Sequence, residues 1–320
     1  MEKRRFGSTG MEITPIGFGS WAIGGENWSH GWGPQDDNKA VEAIERALEL
    51  GINWIDTAAV YGLGHSEKLV AKALEGTTEK PYIFTKCSLV WDSNRHISNR
   101  LKRDSIWKEC ETSLMRLKTD TIDLYQIHWP SPEDDIEMGW RTMAELKEEG
   151  LVKHIGVSNF NVEQMKRAKA IAPVESLQPP YSMLRRGIEQ EILPFCIEHD
   201  IGVIVYSPML SGMLSGTMTH ERALNLPKND WRRNNKEFQE PRLGHNLELV
   251  ELLRTIGQKH GASPGEVAVA WTLRHPGVTA AIVGGRSAEQ VDGTVGAATL
   301  ILNKEEITDI ENFIDAMPDQ

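Results

Sequence analysis

A closed α/β barrel, eight parallel strands each followed by a helix, is the fold this 320-residue sequence predicts. Three observations predict it. Apolar runs of strand length alternate with amphipathic segments of helix length through both halves of the chain. No Pro/Gly/Ser-rich linker marks a midpoint, and Leu151–Ser158, where a boundary would fall, itself holds a strand; residues 1–320 therefore read as one domain. Several strands end on a polar or charged residue, at the rim where barrels of this kind carry their chemistry.

The elements follow in order. R-R-F and M-E-I flank G-S-T-G, a turn composition, and predict an N-terminal hairpin. I-G-F-G (16–19) is a strand; Asp37–Leu50 is a helix stopped by Gly51. I-N-W-I-D (52–56) leads to a helix near Glu67–Leu74, Y-I-F-T-K (82–86) to one near Lys102–Leu117, and I-D-L-Y-Q-I-H (122–128) to one near Ile136–Glu149. H-I-G-V-S (154–158) precedes a helix capped by Asn161 with Gln164 three residues on. S-L-Q (176–178) precedes a helix over Glu189–His199, and G-V-I-V-Y (202–206) is the seventh strand. A loop of roughly 35 residues follows, longer than most connections. Helices near Leu247–His260 and after the capping box Ser263-Pro264-Gly265-Glu266 lead to strand eight, T-A-A-I-V (279–283). A helix after Ser287 and a last one capped by Asn303 and Glu306 complete the pattern. Two of these helices are additions to the eight-fold unit.

Composition narrows the function classes. The formal charge of −11 and pI near 5.5 argue against a nucleic-acid surface, and Lys3-Arg4-Arg5 and Arg232-Arg233 are too short to reverse that. Cys87, Cys110 and Cys196 lack C-x-x-C spacing and predict free thiols in a reducing, cytoplasmic setting rather than a disulfide frame or a zinc site. Neither a signal-peptide core nor an 18-residue apolar run occurs, so no membrane association is expected.

The strand ends carry the chemistry. Asp56 closes one strand with Tyr61 just beyond, Lys86 closes the next and His128 the one after. Singly, each has a bland explanation: a cap, a snorkelling lysine, a satisfied core histidine. One per successive unit is a proton-donating constellation. A phenol donates poorly at neutral pH, but a neighbouring ammonium favours the phenolate and lowers its pKa, and a carboxylate holds that ammonium charged and aimed. Tyr61 is thus the expected general acid, Lys86 its modulator and Asp56 the orienter, with His128 hydrogen-bonding a substrate oxygen. This set suits a carbonyl accepting hydride, and since no side chain supplies hydride a reduced cofactor is required. A lysine at a strand end also fits a Schiff-base aldolase.

Taken together, D-T-A-A-V-Y-G, F-T-K, D-L-Y-Q-I-H-W-P, I-G-V-S-N-F, V-Y-S-P-M and A-I-V-G-G-R-S-A-E-Q resemble the aldo-keto reductases in order and spacing, over essentially the whole chain. The resemblance implies a TIM-type (β/α)8 barrel binding NADPH, with NAD possible, and reduction of a small carbonyl compound or oxidation of an alcohol. It implies that Asp56, Tyr61, Lys86 and His128 are the catalytic set. Ser158, Asn159 and Gln178 would bind the nicotinamide carboxamide and Tyr206 would stack on the ring. Ser207, Met209, Leu210 and Ser211 would follow the pyrophosphate, and Gly284, Arg286 and Gln290 the adenosine 2′-phosphate. The pattern of Arg286 with Gln290 resembles the bacterial branch that includes general stress and inositol-operon reductases more than the mammalian aldose reductases. Gly293-Thr294 stand where the family usually grips adenine with Glu-Asn, and Val283 where it has proline. Only Met317–Gln320 follow the last helix, so the long C-terminal specificity loop of the mammalian aldose reductases is expected to be missing. Some relatives serve as redox-sensing subunits of potassium channels, a non-catalytic alternative. The oligomeric state is left open.

Ten tryptophans are an unusual endowment. Trp21, Trp28, Trp32, Trp91 and Trp129 fall just after strands and predict an aromatic wall for an apolar or flat substrate, with Trp28 and Trp32 divided between that and loop anchoring. Trp54, Trp107, Trp140 and Trp271 lie within elements and predict packing. The glycine-containing Ser207–His245 loop is expected to fold over the dinucleotide.

Overall fold

The computed structural model describes residues 1–26, 28–77, 80–227 and 230–316. Strands β1 (Arg4–Arg5) and β2 (Glu12–Ile13) form the expected N-terminal hairpin, with Arg4 opposite Ile13. The barrel strands are β3 (Ile16–Gly19), β4 (Trp54–Asp56), β5 (Tyr82–Cys87), β8 (Ile122–Ile127), β9 (Val152–Ser158), β10 (Ser176–Gln178), β11 (Gly202–Val205) and β12 (Ala280–Gly284). All pair in parallel, and β12 closes on β3 with Ala281 opposite Ile16. Between β5 and β8 lies a second hairpin, β6 (Leu89–Trp91) with β7 (Ile97–Asn99).

The surrounding helices are α1 (Asp37–Glu49), α2 (His65–Ala73), α3 (Arg103–Leu117), α4 (Ile136–Glu148), α5 (Val162–Lys169), α6 (Ile192–Glu198), α7 (His220–Leu224), α8 (Arg242–His260), α9 (Pro264–Leu273), α10 (Ala288–Val295) and α11 (Lys304–Asp315). Their starts obey local chemistry. In α5, α9 and α11 the cap side chain accepts the N3 amide while the N3 Gln or Glu returns the bond, as expected from Asn161, Ser263 and Asn303. Asp36 caps α1 through the amides of Asn38 and Lys39. Helix α1 then buries Ala40, Val41, Ala43, Ile44 and Ala47 against the sheet, each large aliphatic stabilising by about 1.5–3 kcal/mol.

Two cores result. The larger fills the layer between sheet and helices. The smaller fills the barrel itself: Trp54, Phe84, Leu124, Ile204, Ala280 and Ile282 meet Phe6, Met11 and Ile13 of the N-terminal hairpin, which floors the barrel. Phe6 stacks on Phe84 at 5.8 Å. Trp54 is fully buried and donates its indole N–H to the Thr14 carbonyl at 2.9 Å. Gly17 is required beside it, since a Cβ there would lie 2.2 Å from the indole ring. Trp140 and Trp271 are likewise fully buried, as expected of packing residues.

Four expectations change. Helix α6 begins at Ile192 rather than Glu189, residues 188–191 forming turns. Helix α8 begins at Arg242, five residues before Leu247, because Arg242 and Asn246 both donate to the Glu237 carboxylate. The long loop contains α7 and several 3₁₀ turns rather than irregular chain alone. The β6–β7 hairpin was not anticipated; Asp92 holds its turn by accepting from the amides of Asn94 and His96.

Candidate active site

Strand register brings the selected side chains together. Gly19 pairs with Asp56, and Gln178 with Ser158, so the polar termini of successive strands sit level at one end of the barrel. Lys86 lies within β5, and its side chain is fully buried. Its ammonium donates to Asp56 Oδ1 at 2.7 Å, to the Thr57 carbonyl at 2.8 Å and to the Tyr61 hydroxyl at 3.4 Å. Tyr61 opens a tight turn, Tyr61–Gly64, in which Gly62, Leu63 and Gly64 all have positive φ. Gly62 is required there: a Cβ would meet the Gly24 carbonyl at 2.0 Å. The His128 ring lies edge-on to the Tyr61 ring at 5.8 Å.

A second network continues from this cluster. Gln178 Nε2 donates to Asp56 Oδ2 at 2.7 Å, so both carboxylate oxygens are held. Ser158 Oγ donates to the Gln178 carbonyl at 2.8 Å, and the Asn159 amide donates to Ser158 Oγ and to the His128 carbonyl, both at 3.0 Å. Tyr206 donates its hydroxyl proton to Asn159 Oδ1 at 2.8 Å. Eight of the expected residues thus form one connected polar rim. The contacts made by Gln178 and by the Thr57 carbonyl were not foreseen; a strand-end glutamine beside a buried carboxylate was the available signal.

The electrostatics correct one expectation. The Tyr61 phenol is pushed well above its ordinary value of 10, chiefly by burial and then by the Asp56 and Tyr206 charges, rather than lowered by Lys86. Burial lowers Lys86, opposed by Asp56, and raises Asp56, opposed by Lys86. His128 is pushed well below 6.5 by burial, Lys86 and His30, which keeps its imidazole neutral. The site therefore holds a neutral phenol beside a neutral imidazole, both able to donate hydrogen bonds. Lys86 commits its ammonium to three acceptors and has no open amine face, which disfavours the Schiff-base alternative.

Aromatic rings enclose the phenol. Trp21 lies 6.3 Å from the Tyr61 ring at 24°, and Trp28 lies 6.2 Å away at 43°. Trp231, from the long loop, stacks on Trp21 at 5.9 Å, and Trp32 meets both edge-on. Arg232 covers Trp32 at 4.8 Å, pairs with Asp230 at 2.7 Å and donates to the Ser211 carbonyl at 3.3 Å. The long loop is thereby clasped to the loop after β3. Trp231 was missed because nothing in its immediate sequence marks a strand end. Trp129 is 43 % exposed. Trp91 stands farther out, on β6, where it lines a cleft of about 570 Å³ with Trp28, Leu63, His65 and Arg95.

The remaining expected residues lie along the rim from β11 to β12. Ser207, Leu210, Ser211 and Gly212 have positive φ, which coils the chain back on itself after β11, with Met209 inside the coil. Gly284 ends β12, where a Cβ would meet the Gly19 carbonyl at 3.4 Å. Gln290 Oε1 accepts the Arg286 amide at 2.9 Å, whereas Ser287 makes no capping bond to α10. The Arg286 guanidinium donates to Gln35 Oε1 at 2.7 Å, the Trp32 carbonyl at 3.1 Å and the Pro34 carbonyl. It anchors the loop after β3 as well as standing at the rim.

The sequence model of the aldo/keto reductase family matches residues 15–315. The chain belongs to that family. Its relatives include "Aldo-keto reductase YhdN" of Bacillus subtilis (strain 168), 37% identical over 318 residues, 98% of this chain and 94% of that one. The "NADH-specific methylglyoxal reductase" of Escherichia coli (strain K12) is 30% identical and covered to 99% on both sides. Among solved structures, the glycerol dehydrogenase AKR11B4 from Gluconobacter oxydans superposes with a TM-score of 0.89 at 36% identity, over 98% of this chain and 95% of that one. This aldo-keto reductase is accordingly an NAD(P)-dependent oxidoreductase acting on small carbonyl compounds. Among the described residues no helix is long and apolar enough to cross a membrane, and no group of side chains is arranged to hold a metal ion.

Proposed function

We propose that this aldo-keto reductase reduces small aldehydes and ketones, or oxidises the matching alcohols, with Tyr61 as the proton donor. The observation that carries the reading is the buried chain Asp56–Lys86–Tyr61, with contacts of 2.7 and 3.4 Å. A reduced nicotinamide supplies hydride when bound. Tyr61 gives its phenolic proton to the oxygen gaining charge, and the Lys86 ammonium stabilises the phenolate left behind. Asp56 keeps that ammonium in place, with Gln178 holding the carboxylate's other oxygen. Neutral His128 donates a hydrogen bond that orients the substrate oxygen, while Trp21 and Trp28 exclude water and favour flat or apolar carbonyls. A turnover panel of aldehydes, ketones, sugars and polyols with both nicotinamides tests this; no carbonyl-dependent loss of nicotinamide absorbance would defeat it.

The chain has side chains suited to the cofactor. The Ser158–Asn159–Tyr206 network offers polar partners for the carboxamide and a ring for stacking. The coiled main chain over Ser207–Ser211 has the conformations that form anion nests. NADPH is the favoured form in this reading, because Arg286, just past the end of β12, is a cation suited to a 2′-phosphate. Arg286→Ala is expected to weaken NADPH binding about 10–100-fold while changing NADH little, measured by quenching of tryptophan fluorescence. Equal loss for both would place the 2′-phosphate elsewhere.

The two directions should differ in pH dependence. With its phenol raised above 10, Tyr61 stays protonated through the neutral range. Carbonyl reduction, which needs that proton, is expected to be flat between about pH 6 and 9. Alcohol oxidation needs the phenolate and should climb across the same range. A reduction rate already falling near neutrality would contradict the assignment.

A further inference from the structure

Below the rim lies a buried ion pair the reaction does not use. Glu67 of α2 is fully buried; its Oε1 accepts the Thr85 hydroxyl proton at 2.8 Å and its Oε2 accepts from Arg116 Nη1 at 3.1 Å. Thr85 precedes Lys86 in β5, and successive strand residues face opposite sides of the sheet, so Glu67 grips from outside the strand segment that carries Lys86 inside. Arg116, in the last turn of α3, also abuts the Tyr61 turn: a Cβ on Gly64 would lie 2.6 Å from its Nε. Its guanidinium lies 5.3 Å from the centroid of Trp91 on β6. One side chain thus touches the turn that presents the phenol, the carboxylate bonded to the lysine's strand, and the hairpin beside the outer cleft.

A buried ion pair adds little net stability relative to well-packed apolar side chains of similar volume, because desolvation offsets the attraction. Its distinct contribution here is directional. The Lys86–Tyr61 contact, at 3.4 Å, is the longest in the catalytic chain and is set by the relative placement of β5 and the Tyr61 turn, the two segments that Arg116 and Glu67 join. We propose that Arg116 and Glu67 are positioning residues that hold the Lys86 ammonium against the Tyr61 phenol. The inference rests on Tyr61 as proton donor.

The decisive variant is Glu67→Gln with Arg116→Met, which removes both charges of the pair and keeps an acceptor for Thr85. The expected result is a cooperatively unfolding protein that binds NADPH within about twofold of the parent, with kcat lowered about tenfold or more. The alkaline rise of alcohol oxidation should move to higher pH, because a phenolate farther from the ammonium is harder to form. Arg116→Lys retains the charge but not the planar contact with Gly64 and Trp91. It should fall between parent and double variant in both kcat and pH profile, and it carries the test if the double variant does not fold. A folded double variant, or a folded Arg116→Lys, with parental kcat and an unmoved pH profile would reduce the pair to packing. Loss of turnover in Tyr61→Phe is independent of that outcome, so the two readings can fail separately.

Discussion

Tyr61→Phe should lose about 10²–10⁴-fold in carbonyl reduction, the range general acid catalysis supplies, with NADPH affinity almost unchanged. Phenylalanine keeps the ring against Trp21, Trp28 and His128 and removes only the hydroxyl that meets Lys86. The Lys86 ammonium retains Asp56 and the Thr57 carbonyl, so no charge is stranded and the fold should persist. The affinity should hold because the residues proposed for the dinucleotide lie from Ser158 round to Gln290. Single-turnover rates and fluorescence titration separate the two effects. Turnover near that of the parent would remove Tyr61 from the reaction.

Lys86→Met should act on stability as well as turnover. Asp56 is 2 % exposed and would keep only Gln178 among its present partners. Breaking a buried pair in this way costs about 3–5 kcal/mol, visible as a lower urea midpoint. Adding Asp56→Leu removes the stranded carboxylate and should recover most of that loss while turnover remains absent. If the single variant were as stable as the parent, the pair would not be the buried ionic contact described above. If the double variant regained turnover, neither residue would serve the chemistry.

The sequence displayed the barrel because its signals are local: apolar runs ending in polar residues, and capping pairs such as Ser263 with Glu266. It displayed Asp56, Tyr61, Lys86 and His128 because each lies at or just beyond the last residues of a strand whose register then becomes their geometry. What stayed hidden depends on distance in space. The upward shift of the Tyr61 phenol comes chiefly from burial, to which loops folded across the rim contribute as well as the D-T-A-A-V-Y segment itself. Gln178 binding Asp56 joins residues 122 positions apart. Arg286 reads as a cation awaiting an anion, yet it also anchors the carbonyls of Trp32 and Pro34, some 250 residues earlier. The β6–β7 hairpin could have been read from W-D-S-N-R between two short extended runs, but the long helix after it dominated the pattern.

The floor of the barrel bears on how the chain is made. Phe6 lies against Gly202, and Ile16 pairs with Ala281, so β3, which pairs with β4 on one side, gains its second partner only when the last strand has been synthesised. A chain still emerging from the ribosome has an open sheet, with Trp54, Phe84 and Leu124 lacking part of their eventual cover. Such long-range closure is slow and leaves apolar surface exposed in the interim. Newly made copies are therefore expected to depend on chaperone holding until translation passes residue 284.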